Sequence, residues 1–329
     1  MKVRLLSENE YDKWNDFVEK SPQGFLFSKS YWLEVITKND FKICVLENEN
    51  EIFAGMPLPG YSKKCIDNIL LTQSLGILFR NMKGIKRQKI LTNEKEYTKQ
   101  IIEFLKNKSN IKKINLNFSP YYTYWSPLYW EGFKQTTRYT YFIDYEKINL
   151  KEEFSKFSKG HKWTLNKVEK NKNIIIEETD DLDNVYSILK MTYERQHKKI
   201  GYSLEILKNI YGTLKKRNEI KIFKIYDKTD NHIQAVTIFV YDKKEVYYCL
   251  GGSDDKYRKE GTHTYLIWYG INYFSKISKR FNFGGSMIEE VDKNFRNFGG
   301  ELTPYFNIYW TKSWSFYYLK EIIKLVLKK

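Results

Sequence analysis

Apolar and polar positions repeat along this chain with two periods, and the alternation between them predicts its elements. Lys2 to Leu6 reads as a strand, and Ser7 to Glu19 sets Tyr11, Trp14, Phe17 and Val18 on one helical face. Ser28 to Thr37 repeats the helical spacing with Tyr31, Trp32, Val35 and Ile36, capped by Ser28. Strands Phe41 to Glu47 and Glu51 to Leu58 flank the turn-like Asn48-Glu49-Asn50. A strand pair within Ile66 to Leu78, a polar helix from Thr92 to Lys108, and strands Lys112 to Phe118 and Thr137 to Tyr145 follow.

A helix beginning at Leu150 carries the lysine-rich stretch Lys156 to Lys172, and Asn173 to Glu177 opens a second series. Asp181 to His197 presents Val185, Ile188, Leu189 and Tyr193 as a core face, and Leu204 to Lys216 is another helix. Ile220 to Tyr226 and Ile233 to Tyr241 form a hairpin, and Glu245 to Leu250 the central strand. Gly251-Gly252 lead through a polar loop into an apolar helix ending near Ser275. Strand Arg280 to Phe283, a short helix with Val291, Phe295 and Phe298 buried and a left-handed stop at Gly299 or Gly300, and strand Tyr305 to Trp310 complete the series. The order strand, two helices, meander, helix, strand occurs twice. We expect an α/β fold with mixed (α+β) sheets in two domains, 1–147 and 148–312, and a basic amphipathic helix over 313–329.

A strand that passes through glycines into a helix start leaves backbone N–H groups unpaired and aimed one way, which suits a phosphate. Arg258-x-x-Gly261-x-His263 resembles the Arg/Gln-x-x-Gly-x-Gly/Ala pyrophosphate loop of the GNAT acyltransferases, with His263 where the family has a small residue. Phe281-Asn282-Phe283-Gly284-Gly285-Ser286 followed by Asn294-Phe295-Arg296-Asn297-Phe298-Gly299-Gly300 resembles the Fem-type branch, which carries two GNAT-like halves in one chain. Trp130-x-Gly132-Phe133, Thr137 to Tyr141 and the Arg195-Gln196 pair extend the likeness. Nothing before residue 148 resembles the Arg-x-x-Gly loop, so the first half reads as a degenerate copy.

The resemblance implies N-acyl transfer to an amine, on an amino sugar or an envelope or polysaccharide precursor. Acyl-CoA (acetyl-CoA) is the expected co-substrate, with no permanently bound cofactor; aminoacyl-tRNA is the alternative donor, and a non-catalytic glycan-binding module the alternative of another class. Such transfer needs a grip on the donor, donors for the oxyanion, a base for the ammonium proton and an acid for the leaving group. Leu250 and Gly251 are the oxyanion candidates, and Arg258, Lys259, Gly261, Thr262 and His263 the grip. Tyr248 is either the acid for a leaving thiolate or a core residue. Glu289 is either the base or the partner of Ser286 in a capping box. Arg195 either clamps a carboxylate or phosphate, with Gln196 beside it closing the acceptor pocket, or complements a helix dipole. Trp125, Tyr129, Trp130 and Phe133, in the aromatic run Ser119 to Phe133, form either a packed loop or a platform for a sugar ring.

Composition narrows these choices little. Aromatics at 17% and hydrophobic residues at 42% supply an ample core. A formal charge of +16 points to an anionic partner such as CoA, RNA or an acidic membrane face, or to a lysine-rich background. The lysine-rich helix is either a solvated face or an entry for an anionic donor. Three scattered cysteines fit a reducing compartment without disulfides or zinc. No metal-ligand cluster, Ser-His-Asp order or Walker loop is present in the sequence. With no long apolar run, a cytoplasmic protein is expected; its basic terminal helix either docks on its own domain or lies on an anionic inner membrane face, which would suit a lipid-linked acceptor.

Overall fold

A computed structural model describes residues 1–313, so the helix expected over 313–329 lies outside the described residues beyond Ser313. The chain forms two compact units, one of Met1–Thr137 and the segment from Tyr305 onward, the other of Arg138–Pro304. The first unit opens with β1 (Lys2–Leu5), α1 (Tyr11–Lys20) and α2 (Ser30–Thr37). It continues through β2 (Phe41–Asn48), β3 (Glu51–Pro59), β4 (Cys65–Asp67), β5 (Leu78–Phe79) and α3 (Arg87–Glu103), which runs into a π-helical turn at Phe104–Lys108. Then come β6 (Lys113–Asn117) and α4 (Ser126–Trp130).

Strands β1, β2, β3 and β5 pair antiparallel in that order. The strand pair expected within Ile66 to Leu78 does not form. β4 lies parallel to β6, whereas β5 joins β3, because the intervening segment leads the chain from one sheet to another. Tyr11, Trp14, Phe17 and Val18 are buried as their helical spacing requires, and Tyr11 packs on Phe41 of β2. Trp14 Nε1 donates to the Ser28 carbonyl at 2.7 Å, satisfying the polar edge of a buried ring.

The second unit holds β7 (Lys134–Asp144, from Arg138), α5 (Leu150–Lys156), α6 (Lys159–Lys170), β8 (Ile174–Glu178), α7 (Leu182–Glu194) and α8 (Leu204–Lys215). It goes on with β9 (Ile220–Asp227), β10 (Ile233–Tyr241), β11 (Glu245–Ser253), a 3₁₀ turn (Asp255–Glu260), α9 (Thr262–Phe274), β12 (Arg280–Asn282) and α10 (Glu289–Arg296). The last strand, β13 (Glu301–Thr311), carries the chain back to the first unit, where it pairs antiparallel with β6 from Asn307↔Asn117 to Thr311↔Lys113. The lysine-rich helix is broken in two. Ser158 caps α6 by accepting from the His161 amide at 3.2 Å, and Phe157 packs edge-on against Phe298.

Strand order in the second unit is β7-β12-β11-β10-β9-β8, antiparallel except where β11 and β12 run parallel. That parallel pairing covers only Glu245↔Arg280 to Tyr247↔Asn282. Beyond it β12 ends, while β11 continues along β10 to Ser253, so the two strands part. A buried network fixes the fork. Asn282 Oδ1 accepts from Thr140 Oγ1 at 2.7 Å and from the Gly284 amide at 2.8 Å, and its Nδ2 donates to Glu245 at 2.7 Å. Each buried polar group there has a partner, so the fork is rigid instead of costly.

Candidate functional site

The fork between β11 and β12 opens into a cleft of about 440 Å³, within the range of small-molecule sites. Its walls come from β11, the end of α7, the start of α9, the Gly284-Gly285-Ser286 turn and α10. Of the residues singled out in the sequence, Arg195, Gln196, Tyr248, Leu250, Gly251 and His263 all line it.

Gly251 and Gly252 lie inside β11, paired with Thr237 and Val236, and do not form its exit. They are small because neighbours stand where side chains would go. A Cβ on Gly251 would fall 2.2 Å from Tyr248 Oη and 2.6 Å from His263 Nε2. One residue earlier the ladder slips: Ile238 pairs with Leu250 and Phe239 with Tyr248, leaving Cys249 as a bulge. A bulge leaves its extra residue outside the ladder and bends the strand, here at the cleft wall.

Tyr248 Oη and His263 Nε2 are 2.9 Å apart. Burial, aided by the Arg195 charge, lowers the His263 pKa to about 4, so the imidazole is neutral at pH 7. Burial pushes the Tyr248 hydroxyl well above its ordinary value, and the neighbouring Cys249 thiol up to about 12, so both remain protonated. Arg195 pairs with Asp255 on the 3₁₀ turn and reaches the Ser253 carbonyl at 3.5 Å.

Other expected residues are placed elsewhere. Arg258 and Lys259 are exposed on the 3₁₀ turn and are not part of the cleft wall. Gly261, at φ +79°, faces α6, where an added Cβ would meet Thr164 Cγ2 at 2.0 Å. The same helix holds the turn through Lys167 Nζ to Glu260 at 2.7 Å. Thr262 is buried and lines a separate cavity. Glu289 is exposed outside the cleft wall, and the expected capping box is absent: Ser286 Oγ accepts from the Ile288 amide at 3.0 Å, and α10 starts from Ile288 without a side-chain cap. Glu290 lines the cleft instead, with Val291, Asn294 and Phe295. Helical spacing held that signal, because Glu290 and Asn294 each precede a residue of the apolar stripe Val291, Phe295, Phe298.

The aromatic candidates belong to the first unit and are absent from this wall. Tyr129 and Trp130 are exposed, and Trp125 packs on Tyr129 and Phe306. Phe133 is buried against Trp310 with Lys106 over both rings, which removes it from any sugar platform. Among the described residues no group of acidic, histidine and cysteine side chains is arranged to hold a metal, and no helix is long and apolar enough to cross a membrane.

Residues 155–286 match the family model of the acetyltransferase (GNAT) domain. The match covers the diverging strands, the turn and α9, so the second unit is a GNAT acyltransferase domain. No curated protein sequence matches the chain. Among solved structures, FemX aligns over 93% of this chain and 97% of its own with a TM-score of 0.67 at 14% identity. A tandem GNAT protein from the clavulanic acid biosynthesis pathway aligns over 94% and 97% with a TM-score of 0.53 at 8% identity. L-PGS from Bacillus licheniformis aligns over 92% of each chain with a TM-score of 0.51 at 11% identity. At these identities the likeness is one of fold, and that fold is the tandem GNAT arrangement of the Fem-type proteins.

Proposed function

We propose that the chain transfers an acyl group to an amine in the cleft between β11 and β12, and that the acceptor is an amino sugar or envelope precursor. The observation that carries this reading is the neutral, hydrogen-bonded Tyr248–His263 pair set against the bulged strand at the point where the strands part. The amine attacks the acyl carbonyl, the new C–N bond forms and the bond to the leaving oxygen or sulfur breaks. The backbone amide of Gly251, on the strand edge turned away from β10, receives the oxyanion, while the Leu250 amide belongs to the ladder with Ile238. Glu290 takes the ammonium proton. When His263 carries its proton on Nε2 it donates to Tyr248 Oη, which turns the Tyr248 O–H toward the leaving group. Arg195, held by Asp255, and Gln196 orient an anionic part of the acceptor.

Two donors fit this chemistry, and the loop favours an aminoacyl ester on tRNA. The 3₁₀ turn is strapped to α6, Arg258 and Lys259 stand outside the cleft, and the His263 ring is packed against Gly251 where the slender arm of a thioester donor would pass. Trp163, 66% exposed, lies with Lys159, Lys167 and Lys170 along one face of α6, a combination suited to a phosphate backbone with a base to stack. Acyl-CoA is the second reading, favoured by the GNAT acetyltransferase match. FemX and L-PGS share the fold and bring lipid-linked acceptors into consideration. The test is thermal shift and single-turnover deacylation with charged tRNA, uncharged tRNA, CoA and acetyl-CoA, with glucosamine as surrogate acceptor. Turnover of charged tRNA that Glu290→Gln removes supports the first reading, and turnover of acetyl-CoA alone supports the second. Turnover of neither donor refutes acyl transfer.

A further inference from the structure

Beside the bulge in β11 stands a group of side chains that the transfer step leaves unused. Cys249 and Tyr193, the latter near the end of α7, are both part of the cleft wall. α7 approaches β11 closely here because Gly252 has no side chain: a Cβ would fall 2.4 Å from Thr192 Oγ1. Tyr202, on the connection from α7 to α8, is set edge-on to Tyr193 with ring centres 6.4 Å apart, and edge-on to Tyr186 at 6.1 Å. The Tyr186 hydroxyl donates to the Tyr202 carbonyl at 3.0 Å and so holds the backbone behind the ring.

Tyr202 is 5% exposed, and its Oη has no hydrogen-bond partner. A buried hydroxyl in that state keeps an unmet capacity both to donate and to accept. The titratable groups that act on it are Tyr193, Cys249 and Tyr186, so Oη lies toward the two of them that line the cleft. Burial raises the Tyr193 and Tyr202 hydroxyls above their ordinary values and the Cys249 thiol up to about 12, so all three are neutral at pH 7. A charged group would enter this place without a counterion. A carboxamide would bring several hydrogen-bonding capacities, of which Oη meets only one. One ligand hydroxyl matches one orphaned hydroxyl. Cys249 is two residues from Gly251, about 7 Å along a strand and less across a bulge. An acyl carbonyl held at the Gly251 amide therefore brings a short substituent of the same acyl group to Cys249 and Tyr193.

We propose that Tyr202 sets the specificity of the transfer, by hydrogen-bonding an acyl group that carries one hydroxyl on its β-carbon, of the seryl class. This inference rests on acyl transfer in the cleft, and its test separates the failure of one from the failure of the other.

The full chain is given two donor pairs whose members differ by that hydroxyl alone, with glucosamine as acceptor. One pair is the seryl and alanyl esters of a single tRNA, and the other is 3-hydroxypropionyl-CoA and propionyl-CoA. In whichever pair is turned over, the hydroxylated donor is expected to show a kcat/KM about tenfold or more above its partner, as one hydrogen bond to a buried group implies. Tyr202→Phe should bring that ratio to about one. Its melting temperature should equal or exceed that of the wild type, because the deleted oxygen bonds nothing in the fold. A ratio near one in the wild type, a ratio that survives Tyr202→Phe, or a melting temperature lowered by that substitution would each overturn the inference and leave acyl transfer standing. Turnover of no donor would overturn both.

Discussion

Replacing His263 by Asn should flatten the acid side of the stability profile. In the folded chain the imidazole has a pKa of about 4, against 6.5 for the free group, because burial and then the Arg195 charge oppose its protonation. Between those values the unfolded chain binds a proton that the folded chain refuses, so stability falls as pH drops from about 6.5 through 4. The linkage gives about 2 kcal/mol lost at pH 5 and about 3 kcal/mol at pH 4, relative to pH 7. Urea unfolding at pH 7, 6, 5 and 4.5 measures the loss directly. His263→Asn removes this component and keeps that of every other group, including His161, whose pKa burial also lowers. The difference between the two curves should therefore grow toward acid by about 2 kcal/mol at pH 5. Arg195→Met should recover a smaller part of it, since its charge is the secondary cause. Parallel curves for wild type and His263→Asn would refute the account of a neutral, buried imidazole beside Tyr248.

Further outcomes follow from the same geometry. Tyr248→Phe should lower kcat by about 100-fold or more with KM little changed, as loss of a general acid does, while the melting temperature falls only slightly. Glu290→Gln should cost at least about tenfold more turnover than Glu289→Gln, which separates the carboxylate of the cleft wall from its neighbour outside it. Gly251→Ala and Gly261→Ala should each destabilise by about 1–3 kcal/mol in urea, the first by pushing on Tyr248 and His263, the second on Thr164 with added strain at its positive φ. Tyr129→Ala and Trp130→Ala should each change stability by less than about 0.5 kcal/mol in urea unfolding, because both rings are exposed.

The elements were legible wherever burial obeys a period. Tyr11, Trp14, Phe17 and Val18 announced α1, and the stripe Val291, Phe295, Phe298 announced α10, because a buried face leaves its spacing in the sequence. Short strands left no such trace. β4 and β5 have three and two residues, too few for alternation to show which sheet each joins. The cleft was legible in part, since Tyr248, Gly251, His263 and Arg195 do converge. What failed was local rule applied without tertiary context. Ser286 and Glu289 satisfy the capping-box spacing, yet Ser286 turns to the Ile288 amide and the helix begins later. Gly261 reads as a phosphate-loop glycine, but Thr164, distant in sequence, accounts for its missing side chain. The Cys249 bulge is invisible in sequence because one extra residue changes pairing without changing composition.

The return of β13 to β6 makes the first unit discontinuous, with Asn117 and Asn307 bonded across a separation of 190 residues. During synthesis on the ribosome, the nascent first unit must therefore wait with the β6 edge open until everything through Thr311 has emerged. The intervening unit is complete by Pro304 and is free to fold sooner. A chain cut short at that point would keep its fork and cleft yet expose an unpaired strand, a ready template for aggregation.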